Sequence, residues 1–128
     1  MRLLLDTNIL LPIVSENLPE LGLQIREAIS APDALLFVSI ASLWETAIKV
    51  RLGRLDLRPS LSELPDLLDG LGMELLPIGV LHALAEAEPP PATRDPFDRM
   101  LLAQQLENMR LVTRDRELAA HPLAWRQD

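Results

Sequence analysis

The sequence contains no cysteine, no tyrosine and only two histidines among its 128 residues. Without cysteine there can be no disulfide framework, no zinc-thiolate site and no thiol nucleophile. Zinc prefers nitrogen and sulfur ligands, and the chain offers only two histidines, His82 and His121, and no cysteine. This scarcity of suitable ligands also argues against a zinc site. We interpret both histidines as ordinary surface or core-edge residues rather than as a catalytic base.

Long apolar runs and an excess of basic residues are missing as well. No segment approaches the roughly 20 apolar residues that cross a bilayer, and Asp6 interrupts the apolar start too early for a signal peptide. We therefore expect a cytoplasmic protein with no membrane partner. Twelve basic against 19 acidic residues give a net charge of -7, which excludes a basic nucleic-acid coat protein. An acidic chain can still bind phosphates through metal ions.

Only five glycines are present, and none of them forms a glycine-rich phosphate loop, so dinucleotide and nucleoside triphosphate binding are disfavoured. Hydrophobic residues make up 48% and charged residues 24% of the chain, which is typical of a globular protein with a buried core. We expect a single domain over residues 1–128, because this length leaves no room for a second core.

Short apolar runs alternate with helical periodicity along the chain. The runs at residues 2–5, 35–38, 73–76 and 111–113 predict buried strands, and a weaker fifth strand is predicted near residues 123–126. Helices are predicted over residues 18–29, 40–48, 61–71, 80–86, 96–106 and 116–119, with Ser39, Asp95 and Asp115 as N-caps. This alternation predicts an α/β fold with a parallel sheet of four or five strands, covered on both faces.

Four acidic residues fall where such a sheet binds ligands, outside the carboxyl ends of its strands. Asp6 follows the first predicted strand and Asp115 follows the fourth, while Glu45 and Asp98 lie on helices near the same edge. Each has a structural explanation by itself: Asp6, Asp98 and Asp115 suit helix starts, and Glu45 stands four residues before Lys49 as in a surface ion pair. Together, clustered carboxylates repel unless a cation intervenes. Mg²⁺ or Mn²⁺ would suit their oxygen ligands.

Four segments in this order resemble the signature segments of PIN-domain nucleases, and most closely those of the small bacterial VapC-type toxins of toxin-antitoxin pairs. The segments are Leu5-Asp6-Thr7-Asn8, Leu43-Trp44-Glu45, Arg94-Asp95-Pro96-Phe97-Asp98-Arg99, and Leu111-Val112-Thr113-Arg114-Asp115. The resemblance implies a three-layer α/β/α fold and Mg²⁺-dependent endoribonuclease activity, in which metal-activated water hydrolyses RNA. It also implies a cognate antitoxin partner and a homodimer.

By position, Asp6, Glu45, Asp98 and Asp115 match the acidic metal-site residues of this family. The resemblance further implies that Asn8 and Thr113 are polar residues beside the site, and that Arg99 steadies a carboxylate or contacts phosphate. Many members carry histidine where this chain has Asn8 and Thr93, so substrate preference or rate can differ. Basic residues near the site are expected to guide the RNA backbone: Arg94, Arg99, Arg114 and Arg116.

Two other functions remain open from the residues alone. A Mg²⁺-dependent phosphatase or phospho-receiver also places an aspartate after its first strand, although a receiver needs a lysine late in the sheet and the chain has only Lys49. A catalytically silent PIN-fold binding module is the other alternative. For antitoxin binding, the leucine-rich residues 10–29 and 61–71 are predicted either to form an apolar groove or to belong to the core.

Overall fold

A computed structural model describes residues 1–126. It shows four strands, β1 (Arg2–Leu5), β2 (Leu35–Ser39), β3 (Met73–Leu76) and β4 (Arg110–Val112). They form one fully parallel sheet with the order β3-β2-β1-β4. In β1, Leu4 is paired with Phe37 on one side and with Leu111 on the other. The four main predicted strands are confirmed, with ends shifted by no more than one residue.

Helices connect the strands as the periodicity predicted, although three predicted helices are interrupted, and residues 61–71 are one of them because they begin as a 3₁₀ helix before Leu64. Residues 18–29 divide at Gly22, whose φ of 78° is not helical, and residues 96–106 change to a 3₁₀ helix at Gln104. The α-helices are α1 (Thr7–Val14), α2 (Leu23–Ser30), α3 (Ile40–Arg51), α4 (Leu64–Gly70), α5 (Val80–Leu84), α6 (Pro96–Ala103) and α7 (Arg116–Ala119). Three 3₁₀ helices cover Leu18–Leu21, Leu61–Glu63 and Gln104–Glu107.

The prediction of a fifth strand near residues 123–126 is wrong for the described part of this segment. Only one isolated parallel bridge joins Ala124 to Leu111, with the Trp125 N–H donating to the Leu111 carbonyl at 2.8 Å. Pro122 has no N–H to donate, so the segment cannot begin its pairing earlier in the chain. Residues 127 and 128 lie outside the described residues.

The sheet is buried on both faces, which confirms the predicted three-layer architecture. Since side chains alternate along a strand, Leu3 and Leu5 pack into one core with α1 and α4, whereas Leu4 packs into the second core with Leu101 and Leu102 of α6. All five leucines are 0–1% exposed. The two cores fix the helices against the sheet and so bring the helix N-termini to one edge. Within residues 1–126, no helix is both long and apolar enough to cross a bilayer.

Candidate acidic site at the carboxyl edge of the sheet

The strand ends and helix starts at this edge place the predicted acidic residues on four different segments. Asp6 directly follows β1 and caps α1, accepting the Thr7 N–H at 2.7 Å. Asp115 lies three residues beyond the end of β4 and caps α7. Asp98 is in the first turn of α6, and Glu45 is in the second turn of α3. The helix-start explanation given for these aspartates is thus confirmed, and it coexists with a shared location.

All four carboxylates line one open cavity of about 480 Å³. Asp6 is buried at 4% exposure, whereas Asp98 is half-buried and Asp115 is exposed. The cavity therefore has a covered acidic floor and an open acidic rim. The remaining side chains of its wall include Asn8, Leu11, Pro12, Glu20, Lys49, Leu55, Asp95 and Arg114.

Threonine hydroxyls hold the two most enclosed carboxylates. The Thr113 hydroxyl donates to Asp6 Oδ2 at 2.6 Å, and the Thr7 hydroxyl donates to Glu45 Oε1 at 2.6 Å. The second oxygen of Glu45 lies 3.1 Å from Lys49 Nζ, so the predicted ion pair is present. Short hydrogen bonds to charged groups are stronger than neutral ones. They fix the orientation of both carboxylates.

A third threonine reaches the α6 aspartate from the preceding loop. The Thr93 hydroxyl donates to Asp98 Oδ2 at 3.4 Å and accepts the Asp95 N–H at 3.2 Å. Asp95 itself caps α6 by accepting the N–H groups of Phe97 and Asp98. Asp95 therefore has a complete structural role, whereas Asp98 presents its carboxylate to the cavity.

The site disfavours negative charge on two of its aspartates. Burial raises the pKa of Asp6, against the opposing effect of its hydrogen bonds from Thr113 and Thr7. Burial, followed by repulsion from Asp95, Asp6, Glu45 and Asp115, raises the pKa of Asp98 to about 7. The repulsion shows that these charges interact across the cavity. A bound cation would relieve it.

The ligand chemistry of the site fits a hard divalent cation such as Mg²⁺ or Mn²⁺. All four candidate ligands are carboxylates, which such ions prefer. In the described part of the chain, Asp98 Oδ1 and Asp115 Oδ2 accept no hydrogen bond, and the bonded oxygens of Asp6 and Glu45 each keep a second lone pair. Within residues 1–126, no three acidic or histidine side chains lie together so that they could hold a metal ion as they stand. The four carboxylates thus line an open cavity rather than a preassembled cage.

Asn8 connects the two strand ends that carry Asp6 and Asp115. Its Nδ2 donates to the Thr113 hydroxyl at 3.4 Å, and its Oδ1 accepts the Arg114 N–H at 3.1 Å. Thr113 also accepts the Asp115 N–H at 3.0 Å. Asn8 and Thr113 are therefore polar supports beside the acidic side chains, at the positions that the sequence indicated.

Arg99 pairs with a carboxylate outside the acidic cavity. Its guanidinium donates to the Thr93 carbonyl at 2.7 Å and pairs with Glu86, and it does not line the acidic cavity. Arg99 Nη1 also donates to the Pro91 carbonyl at 3.5 Å, so it supplies a donor to the proline-rich segment 89–91. The carboxylate that Arg99 steadies is that of Glu86, not one of the four acidic candidates.

The predicted phosphate-guiding arginines divide into two groups. Arg114 lines the cavity, whereas Arg94 and Arg116 are exposed and lie outside its wall.

Sequence reasoning missed two residues of the site. Lys49 lines the acidic cavity, although the sequence suggested only an ion pair for this residue. Thr7 was likewise missed as a support for Glu45, because 38 residues separate the two in the chain. No local sequence signal reports such a contact.

Both histidines have structural partners away from the acidic cavity. His82 Nδ1 accepts the Gly79 N–H at 2.9 Å, so its Nε2–H donates to Glu107 at 2.8 Å. The His121 Nε2–H donates to the Pro89 carbonyl at 2.8 Å. Both rings are buried. The interpretation of core-edge histidines is confirmed.

A three-layer α/β/α domain with clustered carboxylates at the carboxyl edge of a parallel sheet defines a class of acidic-site proteins suited to phosphate chemistry. The sequence profile of the PIN domain matches residues 3–122, and the chain belongs to the PIN-domain family. PIN domains are typically nucleases and commonly use divalent metal ions. Family membership therefore indicates nuclease activity in general. No curated protein matches the chain.

Proposed function

We propose that this protein is a Mg²⁺-dependent endoribonuclease and the toxin of a type II toxin-antitoxin pair. The observation that carries the proposal is the convergence of Asp6, Glu45, Asp98 and Asp115, from four separate segments, on one cavity. Family membership indicates a nuclease, and the oxygen-only ligand set favours Mg²⁺, with Mn²⁺ as the alternative. The four signature segments resemble those of VapC-type toxins.

The acidic side chains of the cavity would hold the metal. Asp6 and Asp98 would be its main ligands, with Asp115 and Glu45 contributing directly or through water. When bound, the ion supplies a water of lowered pKa and positive charge near the leaving oxygen. Thr113 and Thr7 hold Asp6 and Glu45 in fixed orientations, which lowers the cost of arranging the site when substrate binds.

We propose a cytoplasmic location, a single functional domain and a cognate antitoxin that covers the cavity. The leucine-rich residues 10–29 and 61–71 belong mostly to the core, as the second of the two interpretations held. Their leucines pack on the sheet because helices on this face must bury an apolar stripe. The wall of the acidic cavity itself offers Leu11, Pro12 and Leu55 as an apolar surface for a partner.

We further propose a homodimer, as the family resemblance implies, and α5 supplies its best surface. Val80 and Leu81 are each 75% exposed and Leu84 is 80% exposed. Three large aliphatic side chains on a five-residue helix form a patch of the kind that marks interfaces. Leu84→Glu should therefore convert a dimer into a monomer in sedimentation velocity.

The matched control for the dimer is Leu23→Glu, which alters an exposed leucine of α2 and should leave the dimer intact. A wild-type protein that sediments as a monomer at micromolar concentration would contradict the dimer. A dimer that persists in Leu84→Glu would contradict the assignment of α5 as the interface.

The nuclease proposal predicts metal-dependent cleavage of RNA by the purified, partner-free protein. We expect cutting of one or more RNAs in a panel of single-stranded and structured molecules with Mg²⁺ or Mn²⁺, and none with EDTA. Acetyl phosphate in place of RNA tests the alternative, because labelling of Asp6 would support a phospho-receiver. Folded protein that binds RNA and metal without cutting any member of the panel would instead support the silent binding module.

A further inference from the structure

Two cationic side chains line the acidic cavity, Lys49 and Arg114. Lys49 is the only lysine in a chain with eleven arginines. An ammonium is a compact point charge on a flexible stem, whereas a guanidinium is a planar fork. The two cations therefore offer different contacts to an incoming anion.

Arg114 is held on the side of the cavity formed by the 3₁₀ helix Leu18–Leu21. Its Nη1 donates to the Glu20 carbonyl at 3.2 Å and lies 3.6 Å from Glu20 Oε1. Both the backbone and the side chain of Glu20 thus engage it. We interpret Arg114 as a tether between the end of β4 and this helix.

The Lys49 ammonium has N–H donors that its ion pair with Glu45 does not use. Within residues 1–126, the contact shown for its Nζ is to Glu45 Oε2 at 3.1 Å, and an ammonium carries three N–H donors. Its side chain is 44% exposed, whereas that of Glu45 is 12% exposed. The carboxylate is therefore covered while the ammonium is open to the cavity.

Orienting the Glu45 carboxylate is not a sufficient role for Lys49. Glu45 Oε1 already accepts the short bond from the Thr7 hydroxyl, so a second element of the fold orients this carboxylate. An i,i+4 ion pair with one half-exposed partner contributes little to stability. Six acidic side chains line the cavity with Lys49, so a phosphate that enters it gains most from an open positive charge.

We propose that Lys49 is a substrate-binding residue that contacts a backbone phosphate of the RNA next to the cleaved bond. The inference rests on the proposed function and assigns one phosphate subsite within it. Lys49 lies one helical turn after Glu45 on the same face of α3. The flexible side chain of Lys49 can therefore reach a phosphate that lies beside the acidic residues.

The test measures binding of a single-stranded RNA 12-mer to Asp98→Asn protein, which prevents cleavage during the assay, at fixed Mg²⁺ and varied KCl. Each phosphate contact contributes about 0.7 to the slope of log K against log salt for single strands. Lys49→Met in this background should weaken binding about tenfold at low salt and reduce the slope by about 0.7. Lys49→Arg should keep the slope, because the charge is kept.

Arg51→Met is the matched control, since Arg51 is also in the last turn of α3 but does not line the cavity. It removes the same charge near the same helix end and should leave the slope unchanged. If Lys49→Met shifts the melting temperature but keeps the slope, Lys49 is only structural and the inference is wrong. If neither the Asp98→Asn parent nor the wild-type protein at the same Mg²⁺ binds or cuts RNA, the proposed function fails together with the inference.

Discussion

Asp98→Asn and Asp6→Asn are each expected to lower RNA cleavage by at least about 10²–10³-fold, because each removes a preorganised charge from the site of bond cleavage. Asparagine keeps the size of the side chain and one carbonyl oxygen, so the fold should survive. The measurement is the single-turnover cleavage rate at saturating Mg²⁺, with circular dichroism to show that each variant is folded. Growth inhibition in cells should be lost in parallel.

Asp95→Asn is the matched control for the α6 variant. It makes the same substitution three residues earlier, in the same cavity wall. Asp95 serves as the N-cap of α6, and asparagine is as good an N-cap as aspartate. We expect most of the activity to remain in Asp95→Asn. Full activity in Asp98→Asn, or equal losses in both variants, would show that the site is wrongly assigned.

The same Asp98→Asn substitution should make the metal-free protein more stable at neutral pH. An aspartate with an ordinary pKa of 3.8 ionises in the unfolded chain, whereas in the fold the pKa of Asp98 is about 7. Between these pH values the folded state binds more protons than the unfolded state, so the free energy of unfolding falls as the pH rises. Asparagine does not ionise, so the free energy of unfolding of Asp98→Asn does not fall with pH for this reason.

Because Asp98 is only half-buried, solvent screening reduces the expected gain to about 1 kcal/mol at pH 7 and above. This corresponds to a rise of about 4 °C in melting temperature for a domain of this size. The gain should vanish below about pH 3, where Asp98 is protonated in both the folded and the unfolded state. Calorimetry in EDTA across this pH range measures both effects.

In the presence of Mg²⁺, the wild type should become more stable than Asp98→Asn. A ligand at 100 times its dissociation constant stabilises a protein by about 2.7 kcal/mol, and the wild type should gain much of this while Asp98→Asn gains little. The matched control is again Asp95→Asn, which keeps the candidate ligand. Equal responses of the wild type and Asp98→Asn to Mg²⁺ would contradict a role for Asp98 in metal binding.

The sheet and the helix starts were predictable because local forces determine them. Short apolar runs such as Arg2–Leu5 suit only a strand buried on both faces, and Asp95 followed by Pro96 at N1 specifies a helix start. The rule that parallel strands present ligands at their carboxyl edge then brings Asp6 and Asp115 together. Fold class and acidic candidates therefore followed from local pattern and topology.

The prediction that was wrong concerns the balance between local preference and tertiary contacts. The apolar residues after Pro122 favour a strand, but only one bridge to β4 forms. The partners of Arg99 could not be predicted from the sequence either: Arg99 follows a candidate ligand in the chain, and it bonds the Thr93 carbonyl and Glu86. Arginine binds whichever acceptors its long side chain reaches, and adjacency in sequence does not decide which those are.

The sequence by itself determined which residues can serve as ligands and which elements carry them, since residue chemistry and local propensity act over a few positions. Only the tertiary structure decided how those ligands are held. The bonds from Thr7 to Glu45 and from Thr113 to Asp6 join residues 38 and 107 positions apart. Such contacts depend on how two buried cores fix helices against a sheet, and no local pattern encodes that placement.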